Sequence, residues 1–214
     1  MKLLIILLIS QKENSNNMFI KIIDCTESYN QDIEGIVTFF TNYFNALNIK
    51  SERIKFKDYR IVTCTQCRCC TQIKGEEPVK CVIKDDMNPL LDKIEEGDAY
   101  IILEDRNDLF NKNKVHEKVE SRLIAYHYWP YGQTDSILRK PILKKTSILI
   151  NYNTTKYFMN HSFYTTKISM EDVSASIGAE VLDWQVIIPT NDLIKDYAKR
   201  LKELADLLIN SLKK

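Results

Sequence analysis

From Phe19 onward the chain alternates short unbroken apolar runs with longer stretches whose apolar positions recur every three or four residues. That is the pattern of buried strands joined by crossover helices. FIKIID, residues 19–24, predicts the first strand. QDIEGIVTFFTNYFNALN then places Ile33, Ile36, Val37, Phe40, Tyr43, Phe44 and Leu47 on one helical stripe, with Asn30 or Asp32 as N-cap. SERIKFKDYRIV predicts a second strand leading into a group of cysteines. DDMNPLLDKIEEG reads as a helix capped by Asp85 and stopped by Gly97, and DAYIILE, residues 98–104, as the next strand. A third crossover starts near Asn113. AYHYWPYGQTDSILRKP, ending at Pro141, is aromatic and turn-rich and predicts a long irregular connection. A strand at 146–152, a helix near 170–177, a strand at 181–188 and a terminal helix over 192–212 complete the series.

Five strands thus alternate with helices, with no internal repeat and no low-complexity linker. Right-handed crossovers between parallel strands leave few topologies for such an alternation, and a doubly wound α/β sheet is the leading one. Ligands in such sheets sit at the C-terminal strand ends. The segments to search are therefore the loops after Asp24, Leu103 and Tyr152, together with the cysteine loop.

With 214 residues, the chain suits one domain. We assign residues 18–214 to it. For residues 1–17 three readings stay open: an added strand, an extension upstream of a start at Met18, and a weak export signal. The apolar run there is far too short to span a bilayer as a helix. A net charge of +1 argues against a nucleic-acid binder steered by a strong positive field, so partners are expected to be small molecules or proteins. With five glycines in all, any phosphate site must be built without a glycine-rich cradle.

CTQCRCC, residues 64–70, holds four of the six cysteines, and Cys81 follows a polar loop. Clustered thiols in a chain of this size suggest metal or redox chemistry in the cytoplasm more than a disulfide framework. Cys-x-x-Cys-x-x-Cys lets one loop aim three sulfurs at a common centre, and Cys81 can close a tetrahedral or cubane site. The expected ligands are Cys64, Cys67, Cys70 and Cys81, with Cys69 facing away. Free thiols used in packing or redox exchange are the competing reading, and the four sulfurs do not by themselves choose between zinc and iron–sulfur. Cys25 reads as a buried small residue in preference to a reactive thiol. His116, His127 and His161 show no metal-type spacing. Tyr126, Tyr128, Trp129 and Tyr131 fit a subunit contact better than a ring-stacking site.

The run CTQCRCC, then KCVIKDDM, then GDAYIIL resembles the flavodoxin-like NADPH-dependent FMN reductases, a family that includes the iron–sulfur flavoproteins. Cys64, Cys67, Cys70, Cys81, Asp85, Asp86 and Met87 match that family's pattern in type and order. The resemblance implies a flavodoxin-like three-layer α/β/α fold with a five-stranded sheet in the order 2-1-3-4-5. It also implies FMN, a 4Fe-4S cluster on the four cysteines, and NAD(P)H with a flavin, quinone or similar small acceptor. A homo-oligomer is a further implication.

By position, the FMN would be held by Thr26, Ser28, Tyr29 and Asn30 after the first strand and by Asp105, Arg106 and Asn107 after the third. The match departs from the family there. CTESYNQ stands where the family has a Gly-Ser-Pro-Arg type phosphate loop, with Glu27 where a phosphate would sit, and EDRNDLF replaces a Thr/Ser-Pro-x-Tyr stretch. Two functions are therefore expected from the sequence: an FMN-dependent NAD(P)H oxidoreductase, or a non-catalytic binding protein of the same fold with a degenerate phosphate loop.

Overall fold

A computed structural model describes residues 18–27, 29–105, 114–153 and 165–213. Among them, five strands form one parallel sheet: β1 (Phe19–Asp24), β2 (Lys50–Lys55), β3 (Ala99–Glu104), β6 (Lys145–Tyr152) and β7 (Ala179–Ile187), in the order β2-β1-β3-β6-β7. Counting sheet strands alone, this is the 2-1-3-4-5 order expected from the sequence. The helices are α1 (Gln31–Ala46), α2 (Met87–Glu95), α3 (Lys114–Arg122), α4 (Thr165–Ser176) and α5 (Leu193–Ser211). No helix among the described residues is long and apolar enough to cross a membrane.

The strands read as continuous apolar runs because both sheet faces are covered. On one face Ile20 and Ile22 of β1 and Ile101 and Leu103 of β3 pack with Ile36, Phe40 and Phe44 of α1 and Leu201, Leu204 and Leu208 of α5. On the other, Ile23, Tyr100, Ile102 and Leu149 pack with Leu90 and Ile94 of α2, Val119 of α3 and Val173 of α4. Each of these large side chains contributes roughly 1.5–3 kcal/mol by leaving water.

The structure refines several sequence expectations. Asn30 is the N-cap of α1, its side chain accepting the Asp32 amide at 2.8 Å. Leu47 is not on the buried stripe. It lies at the C-cap, 43% exposed, where Asn48 turns the chain with φ 57°. The second strand ends at Lys55, and a 3-10 turn at Phe56–Asp58 buries Phe56 in the core. Within the irregular connection, β4 (His127–Tyr128) and β5 (Ile137–Leu138) pair as a short antiparallel ribbon.

The N-cap residue of α2 is Asp86, one position after the Asp85 expected from the sequence, and Asp85 has a wider role. Its Oδ1 accepts the Met87 amide at 3.1 Å and its Oδ2 the Val62 amide at 2.9 Å, while Arg122 grips both oxygens at 2.7 and 3.1 Å. Arg122 also donates to the Val62 carbonyl at 2.7 Å. Both side chains of this pair are 1% exposed. The pair joins the end of α3, the start of α2 and the entry to the cysteine loop. Asp86 fastens the same entry by accepting the Arg60 amide at 2.7 Å.

Burial works to raise the Asp85 carboxyl, but the hydrogen bonds from Arg122, Val62 and Met87 outweigh it and hold the group below the ordinary carboxylate value. A carboxyl lowered in the folded state gives stability that is full above its unfolded value, about pH 3.9, and is lost as pH falls through the lower folded value. Removing one partner leaves a buried charge uncompensated, so Arg122→Met is expected to cost about 3–5 kcal/mol in urea unfolding at neutral pH. Asp85→Asn should destabilise at neutral pH and flatten the acid limb of the stability profile. An Arg122→Met loss of less than about 1 kcal/mol, the range of a surface pair, would contradict the buried role.

Candidate functional site

Two loci lie at the end of the sheet where β1, β2 and β3 terminate. The first is the cysteine loop. Gln66 (φ 56°) and Arg68 (φ 59°) both adopt left-handed backbone, which non-glycine residues enter at a cost of order 1–3 kcal/mol and keep only where surrounding contacts impose it. These two reversals curl the loop. Its ends are tied down: the Cys64 amide donates to Ser121 Oγ at 3.2 Å, and Cys81 exchanges two hydrogen bonds with the Asn88 side chain at 2.7 and 3.0 Å.

Cys64, Cys67, Cys70 and Cys81 all line one cavity of about 440 Å³, together with Arg68, Arg122 and Trp129. Cys69 is not in that lining and is exposed. All six cysteines are free thiols. Cys70 is pushed up to about 11, first by burial and then by its neighbours Cys81, Cys64 and Cys67. Cys67, at the surface, is lowered by hydrogen bonds from the Cys69 backbone and side chain.

The aromatic stretch wraps this loop. Trp129 donates its amide to the Thr71 carbonyl at 2.9 Å, the Arg68 guanidinium lies 3.8 Å from the Trp129 ring centre, and Tyr131 Oη donates to the Cys67 carbonyl at 3.0 Å. Tyr126 is buried, its hydroxyl on Glu95 at 2.7 Å. The sequence had suggested a subunit contact for these rings. Arg139, 4% exposed, donates to the carbonyls of Ala125, Ile73, Gly75 and Cys70 at 2.7–3.2 Å. Among the described residues neither Arg68 nor Arg139 meets a carboxylate in the ion pairs that form. Arg68 thus lines the thiol cavity, and Arg139 holds the Cys70 carbonyl from outside that lining; guanidinium groups so placed favour anionic cargo.

The four loop sulfurs are not drawn together in the geometry of one zinc ion. Zinc at about 2.3 Å from each sulfur needs sulfurs about 3.8 Å apart. Among the described residues, the one group of three or more ligand atoms mutually within 4.8 Å is Cys25, Glu104 and His116, so no three loop sulfurs approach that closely. A cubane, in which each sulfur binds a different iron, asks for wider sulfur spacing than one zinc ion does.

The second locus follows β1 and β3. Thr26 is buried, and its amide and hydroxyl both donate to Asp24 Oδ1, at 3.0 and 2.6 Å. The Glu27 amide donates to Asp105 Oδ1 at 3.4 Å, and Glu27 Oε1 accepts the Lys114 amide at 2.8 Å. Tyr29 is 73% exposed. Asp105 is pushed up to about 6, first by burial and then by the charge of Glu104, with a smaller push from Asp24. Ser28, Arg106, Asn107 and His161 lie outside the described residues. The donors of Thr26 and Glu27 are thus engaged within the protein, with Asp24 and Asp105 as their acceptors. The described residues of this loop do not fit the phosphate of FMN.

Cys25, Glu104 and His116 meet at this same corner, all buried. Cys25 is raised well above an ordinary thiol, first by burial and then by Glu104, Asp24, Asp105 and Glu120. Sequence spacing missed this group because its members come from three elements. The available signal was register: Asp24 pairs with Leu103, so the next residues, Cys25 and Glu104, fall side by side.

No family model and no curated protein matches the chain. Solved structures do. NAD(P)H:quinone oxidoreductase from Methanothermobacter marburgensis is 12% identical with a TM-score of 0.57, over 88% of this chain and 98% of that one. A short-chain flavodoxin associated with a bacterial microcompartment is 11% identical with a TM-score of 0.53, over 91% and 99%. The chain has the flavodoxin-like fold. A flavone reductase, 12% identical with a TM-score of 0.56, is matched over 92% of this chain, which spans 64% of the flavone reductase chain. At these identities the likeness is one of fold.

Thiol reactivity follows thiolate content and access. In metal-free protein at neutral pH, iodoacetamide is expected to modify Cys67 first and Cys70 and Cys25 last, read by peptide mass spectrometry over time. Alkylation of Cys25 as fast as Cys67 would contradict the placement of these thiols.

Proposed function

We propose that this flavodoxin-like protein is an oxidoreductase that transfers electrons from NAD(P)H, through a flavin bound chiefly by its ring, to a quinone, flavin or similar small acceptor. We propose further that Cys64, Cys67, Cys70 and Cys81 carry a 4Fe-4S cluster. The observation that carries the reading is the cavity that takes these four thiols and Arg68 and leaves Cys69 out of its lining. A bound cluster would supply one-electron transfer; the chain's part is to fix the four sulfurs and to offset their charge. The net reaction balances as NAD(P)H plus a proton plus quinone giving NAD(P)+ plus hydroquinone.

The residues around the cavity have distinct tasks. Arg122 and Asp85 fix the loop entry, the Arg139 fork holds the Cys70 carbonyl, and Trp129 with Arg68 covers the cavity mouth. The engaged donors of Thr26 and Glu27 favour a second reading, a binding protein of the same fold that has lost its phosphate loop and turns over no nucleotide.

Two measurements test the proposal. Protein purified without oxygen, or reconstituted with iron and sulfide, should be brown, and each Cys→Ser change at 64, 67, 70 or 81 should abolish the broad absorption while Cys69→Ser keeps it. Colourless protein with an unaltered fold would sink the cluster. In flavin titrations, FMN should bind no more tightly than riboflavin, because the phosphate gains nothing from this loop. A tenfold or greater preference for FMN, about 1.4 kcal/mol, would show a phosphate site, and no binding of either flavin would favour the second reading.

A further inference from the structure

We propose that Cys25, Glu104 and His116 form a binding site for a divalent transition-metal ion of the zinc class, separate from the four-cysteine cavity. The ligand atoms of these residues lie within 4.8 Å of one another, and all three residues are buried. None of them lines the thiol cavity. They sit at the C-terminal edge of β1 and β3 and in the first turn of α3, where the paired strands hold Cys25 against the Leu103 carbonyl through a 2.8 Å backbone bond.

One sulfur, one nitrogen and one oxygen make a borderline donor set. It suits zinc and its neighbours in the first transition row, and it disfavours magnesium and calcium, which take oxygen alone. Three protein ligands leave the fourth tetrahedral position open. His116 Nδ1 lies 2.5 Å from Glu104 Oε2. With zinc at about 2.0–2.2 Å from each, the two atoms stand roughly 3.3 Å apart, so binding needs them to separate by under about 1 Å. The ion takes the place of the proton between them, and that proton and the thiol proton of Cys25 leave to water.

A second observation points the same way. Ser169 Oγ donates to Glu120 Oε1 at 3.1 Å and lies 2.8 Å from His116 Nε2. The hydroxyl has one proton; given to the carboxylate, it leaves the histidine to donate from Nε2. In that arrangement Nδ1, which faces Glu104, is the nitrogen an ion takes when the shared proton leaves, and Nε2 has the carboxylate-backed outer contact that metal-bound histidines use. Glu104, Asp105 and Glu120 gather around the site, and a dication is the counter-charge such a set favours. The corner where flavodoxin-like proteins of the resembled family would seat a phosphate is, in this chain, built for the opposite charge.

The test uses zinc alone as probe. Protein with Cys64, Cys67, Cys70 and Cys81 changed to Ser is loaded anaerobically, desalted and assayed for bound zinc, with circular dichroism as the fold control. About one zinc per chain is expected, lost on adding Cys25→Ser or His116→Gln. Cobalt in the same site should show tetrahedral absorption with a thiolate charge-transfer band that Cys25→Ser removes. Ser169→Ala should weaken zinc roughly 10–100-fold without abolishing it. Should the four-serine protein not fold, Cys25→Ser and His116→Gln in the otherwise unchanged chain must each lower zinc content by one equivalent. Folded protein that retains no zinc, or retains it unchanged in both variants, overturns the site.

Discussion

The buried Asp85–Arg122 pair is the interaction on which the thiol cavity depends. Two charges removed from water must satisfy each other closely, and here the carboxylate also takes two backbone amides while the guanidinium takes a carbonyl. The consequence is geometric. The long excursion between β2 and α2 enters at Val62 and leaves at Met87, and one side chain bonds both ends. Arg122, the last residue of α3, locks that excursion to the helix that follows β3. A loop with two left-handed residues and no secondary structure of its own beyond single turns can then hold four thiols around one cavity.

Much of the fold was legible because a doubly wound sheet writes itself as apolar runs and amphipathic stripes. The limits of β1 follow from sequence, as does a cap at Asn30 or Asp32, between which the structure chooses Asn30, and so does the order of the strands once the crossovers are recognised. Boundaries decided by tertiary contact were less legible. Leu47 has the right helical phase but falls where the helix ends, and Phe56 continues an apparent strand only because its ring is needed in the core. The site divides in the same way. Cys64, Cys67, Cys70 and Cys81 announce themselves by spacing, whereas Cys25, Glu104 and His116 are brought together by strand register. The engagement of Thr26 by Asp24 was invisible too, since a Thr two residues after an Asp is equally compatible with a hydroxyl turned outward.

The two loci oppose one another electrostatically on one scaffold. Around the loop cysteines, Arg68 and Arg139 are held by carbonyls and aromatic faces, and the cavity suits anionic thiolate cargo. At the ends of β1 and β3, Asp24, Glu27, Glu104 and Asp105 crowd a loop whose donors already point inward. The sheet fixes where ligands can approach; the side chains have reassigned what charge they must bring. An oxidoreductase built this way would hold its inorganic redox group tightly and its flavin loosely.

The most direct test of the thiol cavity as a redox centre is iron-edge X-ray absorption on anaerobically prepared protein. The account predicts iron surrounded by sulfur with a short iron–iron shell, the signature of a cluster. Protein that holds no iron after reconstitution, or that holds a single isolated metal on these sulfurs, would contradict it.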